Sequence, residues 1–237
     1  MSLAAPAGSQ TTSGFRYHSL AGLALAALIA CIAPFDLAFG WVTLGSPPLR
    51  AMAIVVLALA GAAIGRRIGL SIEGPPDSRP ARDALVVAVV VAVWCALCDW
   101  IWRPALHAGY VSMLTTTPLS LRIATYAMRA LNENILYRLF LGSLLIWILG
   151  LVWKDPDGRP TAGAFWSGLV LSQMINIWIN VTSLAPLTPM ALTHDLFRYV
   201  APGVAWGWLY WKRGFTANEI ASTSVHVFLQ PLVVLGL

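Results

Sequence analysis

The stretch Arg129-Ala-Leu-Asn-Glu133-Asn134-Ile-Leu-Tyr-Arg138 runs directly into the apolar segment 139–153. It sets an acid, amides and two guanidinium groups at the entrance of a run long enough to enter a bilayer. An ionisable group within a membrane span is costly, so Glu133 carries a functional reading by default. At about 100° per residue, Arg122, Tyr126, Arg129, Glu133 and Tyr137 fall along one helical stripe, which makes Arg129 the i,i+4 neighbour of the carboxylate. Arg138 lies about 140° around the helix from Glu133 and pairs more naturally with Asn134 at i,i+4. Two readings stay open. Arg129 keeps the carboxylate ionised for work as a general base, or the two form a structural ion pair that holds helices together.

Composition identifies the solvent. With 58% hydrophobic and only 11% charged residues among 237, and a mean hydropathy of +0.73, the chain has too little polar surface to cover a soluble globule. The expectation is an all-α, polytopic transmembrane helical bundle of about seven to eight membrane helices. A net charge of +5 would suit a nucleic-acid partner. The fifteen Lys and Arg residues, however, sit at span ends rather than in one stripe, so no nucleic acid is expected and the lipid bilayer is the first partner.

A span needs roughly 20 residues to cross about 30 Å of hydrocarbon. Apolar blocks lie at 19–40, 50–63, 84–102, 119–153, 162–182, 189–211 and 215–237. The second is short, and its entry Ser46-Pro-Pro-Leu-Arg50 suggests an interfacial anchor. The fourth would measure roughly 52 Å as one helix, so it is either one span with an amphipathic lead-in or two spans. Charge favours one crossing. Arg16, Arg66, Arg67, Arg79, Arg82, Lys154, Arg159, Lys212 and Arg213 then share one side, with mainly Arg50, Arg103 and Arg122 opposite. That gives seven spans, a cytoplasmic N-terminus, and an eighth membrane-associated piece before Glu133. Residues 1–18 read as a flexible polar tail and 19–237 as a single transmembrane domain.

Metal and cofactor chemistry find no support. Cys95-Ala-Leu-Cys98 sits in an apolar helix with no second Cys or His pair nearby, so small-residue packing is expected. Leu28-Ile-Ala-Cys31 has the form of a lipoprotein processing box, but the apolar run continues past it.

Two later blocks carry polar stripes. Gln173, Asn176 and Asn180 recur in the fifth block, and Ser222, His226 and Gln230 repeat every four residues along the last. Each residue alone reads as interhelical glue, and His226 alone as a satisfied core histidine. Convergence of these faces with Glu133 would instead make a polar cavity between helices.

Glu133-Asn134-Ile-Leu-Tyr-Arg138, followed by Leu-Phe-Leu-Gly-Ser-Leu-Leu-Ile-Trp, resembles the Glu-Glu-x-x-x-Arg helix of the CPBP family, the intramembrane proteases related to CAAX-prenyl endopeptidases and bacteriocin-processing proteins. Leu187-Thr-Pro189, then Gly203-Val-Ala-Trp-Gly207-Trp-Leu-Tyr-Trp-Lys-Arg-Gly214, resembles the segment leading to that family's final motif. The likeness covers a core at about 120–230. It implies that the first glutamate activates water for attack on a peptide carbonyl, with two histidines assisting. This sequence departs from the pattern: the acid pair is Glu133 and Asn134, and Phe-x-x-x-His aligns as Asn176-x-x-x-Asn180. The last motif has two registers, Ser222 with His226 or His226 with Gln230.

The resemblance therefore implies a membrane-embedded endopeptidase acting on a membrane protein or peptide, in a bacterial inner (cytoplasmic) membrane. Glu133 would activate water and Arg129 or Arg138 would tune it. Asn180, with Ser222 or His226, would hold the scissile carbonyl, Asn134 belongs to the catalytic set at the position of the pair's second acid, and Asn176 and Gln230 would support them. Asn and Ser donate to an oxyanion but do not relay a proton near neutral pH, so proteolysis is expected to be impaired or altered. The alternative is a non-catalytic accessory subunit or assembly factor that binds a membrane complex, which the eleven tryptophans would help to anchor. A proton-relay transporter using Glu133 is disfavoured, because the sequence lacks the paired discontinuous segments that class uses.

Overall fold

The computed structural model describes residues 17–33, 37–39, 42–75, 80–180 and 188–236. Its helices are α1 (Tyr17–Ile32), α2 (Pro47–Arg67), α3 (Pro80–Ile101), α4 (Ala108–Thr116), α5 (Leu119–Asn134), α6 (Ser143–Gly150), α7 (Ala162–Asn180), α8 (Pro189–Asp195), α9 (Ala201–Arg213) and α10 (Phe215–Val234). Wide π-helical turns join α5 to α6 through Ile135–Gly142, and α8 to α9 through Leu196–Val200. An antiparallel hairpin, β1 (Leu37–Phe39) with β2 (Val42–Leu44), is the one two-stranded sheet among the described residues.

Among the described residues, four helical runs are long and apolar enough to cross a membrane: Pro47–Arg67, Pro80–Ile101, Leu119–Gly150 and Ala162–Asn180. Their outer faces expose Met52, Val56 and Leu59 on α2 and Val86, Val90 and Val93 on α3, side chains that suit lipid rather than water.

The ambiguous fourth block is one continuous run of 32 residues, so the two-span option does not hold. The block expected at 19–40 also ends early, at Ile32, two positions before Pro34, and the chain then turns into the hairpin. A proline disfavours helix in the residue before it, which explains the stop. The second block is longer than its apolar core because Pro47 and Pro48 start α2, where a missing N–H costs nothing. The proline pair therefore opens a 21-residue helix rather than forming a separate anchor. The expected tail lies outside the described residues up to position 16, as does Leu187.

Loop contacts show how the ends are arranged. Phe215 and Thr216 donate backbone N–H groups to Ser71 and Ile72, Arg213 pairs with Asp83 at 2.6 Å, and Phe165 stacks on Trp211. These contacts bring the end of α2, the starts of α3 and α7, and the α9–α10 corner to one pole, with Arg66, Arg67, Arg82, Lys212 and Arg213. At the other pole Arg50 reaches the Cys31 carbonyl, Arg103 the Gly236 carbonyl and Arg122 the Leu114 carbonyl. The α9–α10 corner needs Gly214, whose φ of +91° strains any residue with a Cβ.

Packing inside is close. A Cβ on Gly61 of α2 would lie 2.5 Å from the Leu139 carbonyl oxygen, so that helix rests directly on the backbone of the first π turn. One core gathers Ile54, Leu136, Tyr137, Ile146 and Leu169. A second gathers Ala88, Ala92, Leu209, Val225 and Leu229 from α3, α9 and α10, and part of it forms the apolar wall of a cavity.

Candidate intramembrane site

A cavity of about 440 Å³ opens between α3, α4, α5, α7, the α8–α9 run and α10. Every residue of the candidate catalytic and supporting set lines it, Arg129, Glu133, Asn134, Arg138, Asn176, Asn180, Ser222, His226 and Gln230, whereas Arg122 and Tyr137 of the Glu133 stripe do not. Their placement follows from helix geometry, since residues four apart share a face and three such faces point at one space.

Glu133 accepts from Arg129 Nε at 2.6 Å, the i,i+4 contact expected from spacing. The two side chains are 22% and 38% exposed, so the pair stabilises the fold only weakly, by about 0–1 kcal/mol. No cavity histidine is recorded in contact with this carboxylate.

Arg138 departs from expectation. It does not pair with Asn134: its guanidinium donates to Gln173 Oε1 at 2.6 Å, and Gln173 Nε2 donates to the Tyr199 carbonyl at 3.0 Å. The cause is the π turn that begins at Ile135, which resets the angular register just after Asn134. Gln173 thus ties one π turn to the other across the cavity. The widened first turn also leaves the Tyr137 carbonyl to be met from outside, by the Ser172 hydroxyl of α7.

Asn134, released from Arg138, donates its amide to the Ser222 hydroxyl. Asn180 donates to Tyr137 Oη at 3.1 Å and to Asn176 Oδ1 at 2.8 Å. Asn180, the amide that the family resemblance assigned to a scissile carbonyl, is therefore engaged with Tyr137 and Asn176. His226 stacks on Tyr126 with ring centroids 5.3 Å apart, and its Nδ1 has no recorded hydrogen-bond partner. The Gln230 amide oxygen is likewise buried and unpartnered.

The structure also shows a cluster that the sequence reading missed. Asp99 of α3, 1% exposed, accepts from Arg198 Nε at 2.8 Å, lies 3.1 Å from His194 Nε2 and accepts from Tyr110 Oη at 3.1 Å. His194 Nδ1 lies 3.0 Å from Asp195 Oδ1. Tyr110, His194, Asp195 and Arg198 all line the cavity. Burial drives the Tyr110 phenol well above its ordinary pKa, with Arg198 opposing and Asp99 adding to the rise. A second missed acid is Glu219 of α10, whose carboxylate oxygens are shielded beside the Asn134 side chain and have no geometrically good hydrogen bond. The signal that could have found Asp99, His194, Arg198 and Glu219 is the one that found Glu133: an ionisable residue inside an apolar block.

No cluster of His, Cys, Asp and Glu among the described residues could hold a metal ion. Cys95 is buried, with its Sγ 3.6 Å from the Arg198 carbonyl, and packs in the second core. Comparison with protein-family models, curated proteins and solved structures found no match to this chain.

Proposed function

We propose that this chain is a CPBP-like intramembrane protein that receives a membrane protein or peptide segment in the glutamate cavity, with proteolysis impaired or lost. The observation that carries this reading is convergence. Nine polar residues, chosen from their spacing on separate segments, face one cavity of about 440 Å³ that also has an apolar wall. In this reading seven helical runs cross a bacterial inner membrane, with a membrane-associated lead-in before Glu133. The N-terminus is cytoplasmic because the basic pole faces that side.

If a peptide bond enters, Glu133 takes a proton from water as its oxygen attacks the carbonyl carbon, and Ser222, His226 or Asn180 steadies the developing oxyanion. Arg129 donates to the carboxylate and so competes for its lone pairs, and Asn180 must leave Asn176 to donate elsewhere. Properly assisted general-base catalysis is worth roughly 10² to 10⁴ in rate, and that assistance is what the substituted histidines remove.

Those engaged amides also favour a second reading, a non-catalytic accessory subunit or assembly factor for a membrane complex. Purification from the native membrane in mild detergent, followed by native mass spectrometry and a peptide-cleavage assay, separates the two. Cleavage abolished by Glu133→Ala in a folded protein supports the peptidase. A stoichiometric membrane partner, with Glu133→Ala silent, supports the accessory subunit.

A further inference from the structure

Three arginines line the cavity, and each keeps donors to spare. Arg129 gives its Nε to Glu133, Arg198 its Nε to Asp99, and Arg138 its Nη2 to Gln173. Both terminal nitrogens of Arg129 and of Arg198, and Nη1 of Arg138, have no hydrogen-bond partner among the described residues, and none of them is shielded. Arg138 and Arg198 are each only 8% exposed, so the surface they keep lies on the cavity they line. Guanidinium groups inside an apolar bundle, with free N–H groups on a cavity, mark a place for a ligand.

The three groups share neighbours. Arg138 reaches Gln173, whose amide donates to the Tyr199 carbonyl, and Tyr199 follows Arg198 in the chain. The Arg198 guanidinium lies 5.0 Å from the Tyr199 ring centroid, which fixes its plane. Arg129 and Arg198 both act electrostatically on the Tyr126 phenol, and Arg129 and Arg138 both act on Glu133. The nearby acids do not use up the free donors. Glu133 accepts from the Arg129 Nε, Asp99 accepts from the Arg198 Nε, Asp195 lies 3.0 Å from His194 Nδ1, and both Glu219 oxygens are shielded.

Planar guanidinium forks match the paired oxygens of a carboxylate or a phosphate, and such charge-assisted bonds are about twice as strong as neutral ones. Val91, Leu106, Met113, Trp206 and Leu229 line the same cavity, so its ligand also carries an apolar part. A volume of about 440 Å³ suits one small ligand, and the bilayer supplies anionic lipids beside it.

We infer that the cavity binds an anionic amphiphile. An acyl chain lies on the apolar lining, and a charged head, the carboxylate of a fatty acid or the phosphate of a single-chain phospholipid, is held by the free N–H groups of Arg129, Arg138 and Arg198. The site goes beyond the peptide reading and requires no proteolysis. A bound amphiphile occupies the space that a peptide would enter, so the two compete.

The test uses the full chain in dodecyl maltoside micelles and three probes with the same dye-labelled chain: hexadecanoic acid, hexadecanoyl lysophosphatidic acid and uncharged hexadecanoylglycerol. Fluorescence polarisation is the readout. In wild type at least one acid is expected to bind about tenfold more tightly than the glycerol ester, and the tighter acid names the head. Arg129→Gln loses only a weak, partly exposed ion pair and keeps the fold. It is expected to cut the preference to about threefold or less, with the glycerol ester bound as before. Arg138→Gln, with its melting temperature checked, should do the same. Equal binding of all three probes to wild type, or a full preference retained in Arg129→Gln and in folded Arg138→Gln, overturns the site. Displacement of the glycerol ester by N-acetyl-tetraleucine amide reports on the peptide reading separately, so either reading can fail alone.

Discussion

Asn134 on α5 donates its side-chain amide to the hydroxyl of Ser222 on α10, joining residues 88 positions apart at the wall of the cavity. Both are buried, at 1% and 3% exposure, so the bond is made where water cannot replace it. Removing Ser222 takes away the acceptor of the Asn134 amide, and removing Asn134 leaves the Ser222 hydroxyl only its bond to the Glu219 carbonyl. Ser222→Ala is therefore expected to destabilise the protein by about 1–3 kcal/mol, and Asn134→Ala by a similar amount. The double variant should cost less than the sum of the singles by at least about 0.5 kcal/mol. Unfolding in mixed micelles checks this, and strictly additive single and double variants would remove the pairing from the account.

Asp99 is the hub of the buried charge cluster, and its loss should be the more severe change. Asp99→Ala leaves the Arg198 guanidinium and His194 without the carboxylate oxygen they share. Breaking a buried pair on one side costs about 3–5 kcal/mol. Replacing Asp99, Arg198 and His194 together by apolar residues of similar size should recover much of that loss. A folded Asp99→Ala protein with an unchanged unfolding midpoint would mean that the cluster is not closed in the membrane.

Gly61 tests the packing of α2 on the first π turn. Its neighbours are the carbonyl of Leu139 and the amide of Phe140, backbone atoms that cannot rotate out of the way. Gly61→Ala is expected to destabilise by about 1–3 kcal/mol despite the higher helix propensity of alanine. A gain in thermal stability, which propensity alone would give, would contradict the close approach.

Tyr110 gives an alkaline signature. Burial raises its phenol pKa well above the ordinary value of about 10, whereas the unfolded chain titrates near that value. Its contribution to stability is therefore complete below about pH 10 and falls as pH rises towards the folded pKa, because only the unfolded chain releases the proton there. Tyr110→Phe should flatten the decline measured between pH 9.5 and 11.5, a window set at about the phenol pKa. An identical pH profile for wild type and variant would place Tyr110 in contact with water.

The membrane character, the helical architecture and the helix face carrying Arg129 and Glu133 were legible in the sequence. The physical reason is that they depend on local quantities: composition, apolar run length and the angle between successive residues on a helix. The polar stripes of α7 and α10 were legible for the same reason. Hydrophobicity could not say whether 119–153 turns back on itself. Charge asymmetry favoured one crossing, and Leu119–Gly150 is a single helical run with α2 and α7 packed along it.

Other features belonged to tertiary structure. At the π turn after Asn134, Ser172 from α7 meets the Tyr137 carbonyl, and Arg138 reaches Gln173 rather than its neighbour on the same helix. Asp99, Tyr110 and the i,i+4 pair His194 and Arg198 come from three separate segments, and no spacing within one segment shows that the three meet. Local rules determine which face of a helix is polar. Which polar groups satisfy one another is decided only when separate helices meet, because a buried hydrogen bond requires an angle and a distance that no single segment contains.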